Sequence, residues 1–237
     1  MDSKPDSAGT LKLSPRQSAI VAGVALLAMT ILAIFANFFV MQNLIVEGDA
    51  TTTTNNIVAS GGLFRLGMLS FLVITLLDVV VAWALYLLFK PAHKSLSLLA
   101  GWFRLVYAAI FGTALLNLAN IPGFFAGANY LDLLGTDQIQ AQVMMAVGAF
   151  QSGWNIGLIV FSLHLFLLGY MFIKAEYGSK ILGILLYIAA LGYAIDGIGI
   201  LLLPDYDLTL AMYTFLGEIV LLVWLFWRGT RLTDITS

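Results

Sequence analysis

Six apolar runs, each of about twenty residues or more, recur along this chain, and nothing else in it constrains the fold as tightly. A hydrocarbon core of roughly 30 Å is crossed by about 20 helical residues rising 1.5 Å each. In lipid, only helices and closed barrels leave no backbone polar group unpaired. A barrel requires alternating segments of about ten residues, and these runs do not alternate. The chain is therefore expected to be all-α and integral to a membrane. Its composition agrees: 61% of the 237 residues are hydrophobic and 10% charged, against roughly 25% charged in soluble domains.

The expected spans are Arg16 to Gln42, Gly62 to Phe89, Leu96 to Asn120, Val143 to Ile173, Ile181 to Leu203 and Leu208 to Trp227. They divide the chain into a polar leader (1–15), one six-helix membrane domain (16–231) and a short tail (232–237). Lys4 and Lys12 ahead of an apolar run resemble a signal peptide, but the run from Ser18 to Met41 is too long and no small-residue cleavage site follows it. The segment reads as a retained first helix.

Charge sorts the connections. Lys4, Lys12, Arg16, Lys90, Lys94, Lys174, Lys180, Arg228 and Arg231 fall on one side; the other side has Glu47, Asp49, Asp132, Asp137, Asp205 and Asp207, with no Lys or Arg in its loops. Basic residues near helix ends stay cytoplasmic, so both termini are expected there, which requires an even number of crossings. The expected location is the plasma (inner) membrane of a bacterial or similar cell. On the acidic side, Glu47 to Ser60 reads as a polar connection whose last residues begin the second helix. In Ile121 to Gln142, Pro122-Gly123-Phe124-Phe125 breaks a helix and Tyr130 to Leu134 suggests a short amphipathic turn, an interfacial loop or a lid over a cavity.

Three spans followed by three place the two halves in opposite orientation, as in transporters with inverted repeats. The acids echo this arrangement, since Asp78 lies fifteen residues after Leu63 and Asp196 fifteen after Ile181.

The charges inside the spans carry the functional question. An ionic side chain at the bilayer centre costs roughly 2.5 to 3.5 kcal/mol on insertion scales, so such groups face the bundle interior and pair. From the basic side, Asp78 lies eleven residues in from Phe89, Arg104 eight in from Leu96 and His164 nine in from Ile173, so these three share a level. From the other side, Asp196 is seven in from Leu203, Glu218 ten in from Leu208 and Arg65 three in from Gly62, a candidate second cluster. Asp78 with Arg104, and Arg65 with Glu218, read as static pairs. Two arginines against three carboxylates leave one surplus, held by a proton on a carboxyl or on His164, and Asp196 is the expected acceptor.

Helical periodicity locates close contacts as well. Gly192 and Gly199 share a face with Asp196, and small residues let backbones approach. In the fourth span, Gly153, Gly157 and His164 lie on one face and Gln151, Asn155 and Ser162 on nearly the opposite one, so this helix is expected at the centre of the bundle.

Several chemistries are excluded by residue count. The chain has no cysteine and two histidines, of which His93 lies in the turn after Lys90. Every lysine sits in the leader or at a helix end, which leaves none for a retinal Schiff base, and one membrane histidine cannot bind a haem from both faces. No cofactor, metal or nucleic acid is expected. Trp102-Phe103 and Trp224 to Trp227 read as interface anchors.

Leu85 to Pro91, Ser97 to Tyr107, Gly153-Trp154-Asn-Ile-Gly157, Leu163-His164, Gly192-Tyr193-Ala-Ile-Asp196, Leu203-Pro204 and Leu216-Gly217-Glu218, in this order, resemble a bacterial and archaeal membrane family known as domain of unknown function four-three-eight-six. The resemblance implies a shared membrane fold and brings no activity with it. The residues themselves lead to a bundle that binds or transports a small molecule, with proton coupling through Asp78, Arg104, His164, Asp196, Glu218, Arg65, Asn155 or Gln151. The alternatives are an intramembrane enzyme acting on a lipid or quinone, with His164 and Asp78 as acid and base, and a structural or sensory subunit. The lipid bilayer, a small-molecule ligand and a second copy of the chain are the expected partners.

Overall fold

The computed structural model describes residues 13–125 and 134–232. Most of the polar leader, the tail beyond Leu232 and all but the last residue of the expected turn at Tyr130 to Leu134 lie outside these residues.

The first helix, α1, is started by a reciprocal cap. The Ser14 hydroxyl accepts the Gln17 N–H (3.3 Å), and the Gln17 amide oxygen accepts the Ser14 N–H (2.9 Å), with Pro15 opening the helix. It runs as one apolar rod over Pro15–Leu44, with a π-helical stretch at Phe35–Met41.

The threonine-rich connection is a helix, α2 (Ala50–Ala59), and not the expected loop. β-Branched threonine is a weak helix former, which is why the run reads as a loop. Asp49 overrides that preference by capping the helix: its carboxylate accepts the Thr52 N–H (2.8 Å) and the Thr52 hydroxyl (2.7 Å). Burial of Thr53 and Ile57 completes the docking.

α3 (Gly61–Asn120) is far longer than one crossing and doubles back. Pro91 removes a backbone donor and clashes with the preceding turn, and two residues later His93 leaves helical geometry (φ −148°, ψ 74°). The two arms then pack antiparallel, with Phe71 and Phe111 edge to face at 5.7 Å. Tyr177 holds the turn region from outside, its hydroxyl donating to the Leu88 carbonyl at 2.7 Å.

α4 (Thr136–Lys174) packs between two neighbours, but it is not enclosed on every side as expected: Gln151 on its second polar face, and Leu163 and Phe166, are exposed. One side meets the returning arm of α3 through Phe150 and Trp154 on Phe111, and the other meets α5 (Lys180–Leu202). Gly169 and Gly183 set the α4–α5 spacing. A Cβ on Gly169 would stand 2.8 Å from the Gly183 carbonyl oxygen, and one on Gly183 2.6 Å from that of Gly169.

The final span starts later than expected, as a single turn α6 (Ala211–Thr214) followed by α7 (Leu216–Trp227). α7 closes the bundle against α1, where Gly23 faces Leu225 and Phe226. Trp224 is 6% exposed and packs edge-on against Phe172 at 4.8 Å, so it belongs to the core and is not an interface anchor. Trp102 and Trp227, more than half exposed, remain on the outer surface.

Five helices are long and apolar enough to cross a membrane: Pro15–Leu44, Gly61–Phe125, Thr136–Lys174, Lys180–Leu202 and Ala211–Arg231. Leu66, Leu69, Leu72, Leu76 and Val79 project outward from the first arm of α3, which is the surface of a multi-pass membrane protein. The helix contacts bring Arg16, Lys90, Lys94, Lys174, Lys180, Arg228 and Arg231 to one end of the bundle, the basic end, and Asp49, Asp137 and Asp205 to the other.

The glycine contact gives a direct check. Gly183→Ala should cost about 1–3 kcal/mol by overpacking, seen as a lower thermal midpoint in detergent. Gly148→Ala, where an added methyl meets nothing within 4 Å, should lower it little or not at all.

Candidate functional site

Arg104, 2% exposed, lies on the returning arm of α3 and meets Asp78, 1% exposed, on the outgoing arm. Its Nη2 stands 2.7 Å from Asp78 Oδ1. That contact is close but poorly aligned along an N–H, and both Asp78 oxygens and Arg104 Nε lack an aligned hydrogen-bond partner. Arg104 Nη1 approaches His164 Nε2 on α4 at 3.3 Å, and His164 Nδ1 lies 2.9 Å from the Ala100 carbonyl. An arginine only donates and a carbonyl only accepts. Nε2 must therefore be the acceptor and Nδ1 the protonated nitrogen, so His164 is a neutral ring locked in one tautomer. The three residues expected to share a level are brought together, and the surplus proton does not sit on His164.

Phe161 extends this cluster. Its ring lies under the Arg104 guanidinium at 5.2 Å, against Tyr107 at 4.8 Å and edge-on to Tyr193 at 5.8 Å. The Tyr193 hydroxyl donates to Glu218 Oε1 at 2.6 Å. A continuous path of contacts thus runs from Arg104 through Phe161 and Tyr193 to Glu218. Glu218 is on the bundle-facing side of α7, beside buried Gly217 and Leu221, yet it is only partly covered. Its partner Tyr193 is also half-buried, so Glu218 is less tightly enclosed than Arg104.

The second expected cluster does not form. Arg65 is exposed and lines a cavity of about 210 Å³ with Phe64, Pro122 and Phe125, making no ion pair with Glu218 or Asp196. Helix rotation, invisible in a depth count, turns it outward. Asp196 is 8% exposed, and both its oxygens are occupied: Oδ1 accepts the Tyr206 hydroxyl (2.6 Å) and Oδ2 the Ala211 N–H (2.7 Å). It ties the end of α5 to the start of α6 and is a tether where a proton acceptor was expected. Gly192 and Gly199 do mark close contacts, with Thr214 and Tyr206 respectively. Gln151 is exposed, and Asn155 faces α5 with its backbone carbonyl against Gly197. Neither joins the cluster. Asp78 and Asp196, at matching positions in the two halves, have unlike partners. Among the described residues, no three His, Asp or Glu side chains are grouped as metal ligands would be.

A family model described as "Domain of unknown function (DUF4386)" matches residues 21–229. The chain belongs to this family. An uncharacterized protein of Archaeoglobus fulgidus is 39% identical over 167 residues, which cover 70% of this chain and 85% of that one. No solved structure matches.

In this DUF4386 chain, Tyr107, Phe161 and Tyr193 are the site residues that charge counting passes over. Each lies three residues from a buried charged or titratable group: Arg104, His164 and Asp196. That offset keeps them on the same helix face, and it is the one signal that points to them.

Breaking a buried pair costs about 3–5 kcal/mol because one charge is stranded, whereas removing both partners is often nearly neutral. Arg104→Ala should therefore destabilise the DUF4386 chain more than the double change Asp78→Ala with Arg104→Ala, as measured by denaturation in detergent. Equal losses would mean that the two groups do not interact.

The tether has a pH signature. Its hydrogen bond to Asp196 pushes the Tyr206 phenol up to about 12. A phenol raised in the folded state stabilises at pH below the unfolded value of about 10 and ceases to do so as pH rises through the folded one. In an alkaline titration, Asp196→Asn should shift one of the late-ionising tyrosines back toward the ordinary range, leaving Tyr177, which burial also raises, where it was.

Proposed function

We propose that this DUF4386 protein crosses a cellular inner membrane six times, with both termini cytoplasmic, and binds a small molecule between its helices at Glu218, with proton occupancy of that carboxyl coupled to binding. The fold-back of α3 at His93 supports counting its two arms as separate crossings. The gathering of basic residues at the end that holds Arg16, Lys90 and Lys180 supports the orientation. Three crossings followed by three would set the halves in opposite orientation, the architecture in which many transporters place a site between repeats.

One observation carries the functional reading. Glu218 is an inward-facing carboxyl linked to the Arg104 layer through Tyr193 and Phe161, held by a single phenol and left partly uncovered, with no cation at ion-pair distance among the described residues. The Asp78–Arg104–His164 group is closed on itself, its two charges offset and its histidine neutral, and serves as a fixed wall. A catalytic acid–base pair of His164 with Asp78 has no support, since both ring nitrogens are engaged and Arg104 stands between the two. The saturated bonding at Asp196 favours a second reading, a scaffold whose polar groups only fix helix packing.

Purified protein should be screened for thermal stabilisation by small amines, carboxylates and sugars at several pH values. Binding is expected to be pH-dependent and to weaken about tenfold or more in Glu218→Gln. A stable Glu218→Gln protein that binds as before would remove Glu218 from the site and leave the scaffold reading. The absence of native cysteine makes orientation simple to test. In intact cells, Glu47→Cys should react with a membrane-impermeant maleimide and Lys94→Cys should not; the reverse pattern would invert the topology.

A further inference from the structure

We propose that the junction of the two chain ends is a phosphate-binding site suited to the headgroup of an anionic phospholipid. A cavity of about 530 Å³ opens between the first turn of α1 and the 3₁₀ turn Gly229–Arg231. Arg16 lines it from α1 and Arg231 from the 3₁₀ turn. No acidic residue is among its described lining residues, and neither arginine makes a described salt bridge. The two segments that carry the arginines are held together because Gly229 packs on Ala19, where an added Cβ would come within 2.7 Å. Like charges set across a gap repel unless an anion lies between them, and the planar guanidinium fork matches phosphate oxygens two at a time.

Two further polar groups can donate, while the Thr230 hydroxyl already gives its proton to the Phe226 carbonyl. Ser14 Oγ already accepts the Gln17 N–H, which leaves its proton to give, and Gln17 Oε1 accepts the Ser14 N–H, which leaves its amide NH₂. Ile20 and Leu232 supply an apolar side. The cavity sits where the 30-residue apolar rod of α1 ends, the depth at which headgroups lie, and this favours a lipid phosphate over a free one. The inference uses only the membrane architecture and is independent of the reading of Glu218.

The test is the thermal midpoint of the whole protein in detergent, titrated with phosphatidylglycerol, phosphatidylcholine or inorganic phosphate. Phosphatidylglycerol should raise the midpoint and phosphatidylcholine should not. The change Arg16→Gln with Arg231→Gln should weaken the apparent affinity about tenfold, while Lys94→Gln with Lys180→Gln, an equal loss of charge at the same end, should change it less than about twofold. Glu218→Gln should respond as wild type. Inorganic phosphate matching phosphatidylglycerol would support the same site with a free anion as its occupant. Equal response of the arginine variant and wild type, an equal loss in the lysine variant, or no response of wild type to either phosphate source would overturn the proposal. Should the double arginine variant fail to fold, Arg231→Lys keeps the charge and removes the fork, and the same weakening is expected of it.

Discussion

A guanidinium in the middle of an apolar bundle cannot be left alone, and the arrangement around Arg104 follows from that. Charge at this depth is tolerated only when it faces the interior and is answered by partners. Asp78 answers it from the other arm of the same hairpin, the neutral face of His164 from α4, and the ring of Phe161 from below. Asp78 comes from the other arm of the hairpin and His164 and Phe161 from one face of α4, so satisfying one side chain fixes the rotation of α4 against both arms of α3. The cost of misplacing any of them is a stranded charge in a low dielectric, which is why a cluster with modest net stabilisation can still specify packing strongly.

Around this anchor the protein is built unevenly. Toward the basic end, α4 and α5 meet backbone to backbone at Gly169 and Gly183, Phe172 is enclosed by Phe89 and Trp224, and Tyr177 ties the 175–179 connection to α3. Toward the acidic end, the last span begins late, after a segment pinned by Asp196 and Tyr206, and the inward-facing residues Trp154, Tyr193 and Glu218 are only partly covered. The packing is thus tight toward the basic end of the bundle and looser toward the acidic end. Loosely packed regions are where local motion is least costly.

How much of the site was legible depended on which coordinate mattered. Asp78, Arg104 and His164 were brought together by depth alone, because rise per residue is constant and all three happen to face inward. Arg65, Asp196 and Glu218 show the limit of the same argument. Depth placed them near one another, but Arg65 turns outward, Asp196 finds a phenol and a backbone N–H from the next connection, and Glu218 pairs with Tyr193. The aromatic residues that join the charged layer carry no formal charge and so left little trace in a count of charges.

The sequence by itself determined the class, the approximate helices and the sorting of basic and acidic ends, since length, apolarity and charge are properties that bilayer physics reads one residue at a time. It also announced membership in DUF4386 through ordered motifs on the helices from the second span onward. Only the tertiary structure decided that the threonine run is a capped helix, that Trp224 is interior, that both Asp196 oxygens are bonded to the next connection and that Glu218 is held by Tyr193. Those outcomes depend on helix rotation and on which connection folds over which helix end. They are set by partners distant in sequence, and no local pattern encodes them.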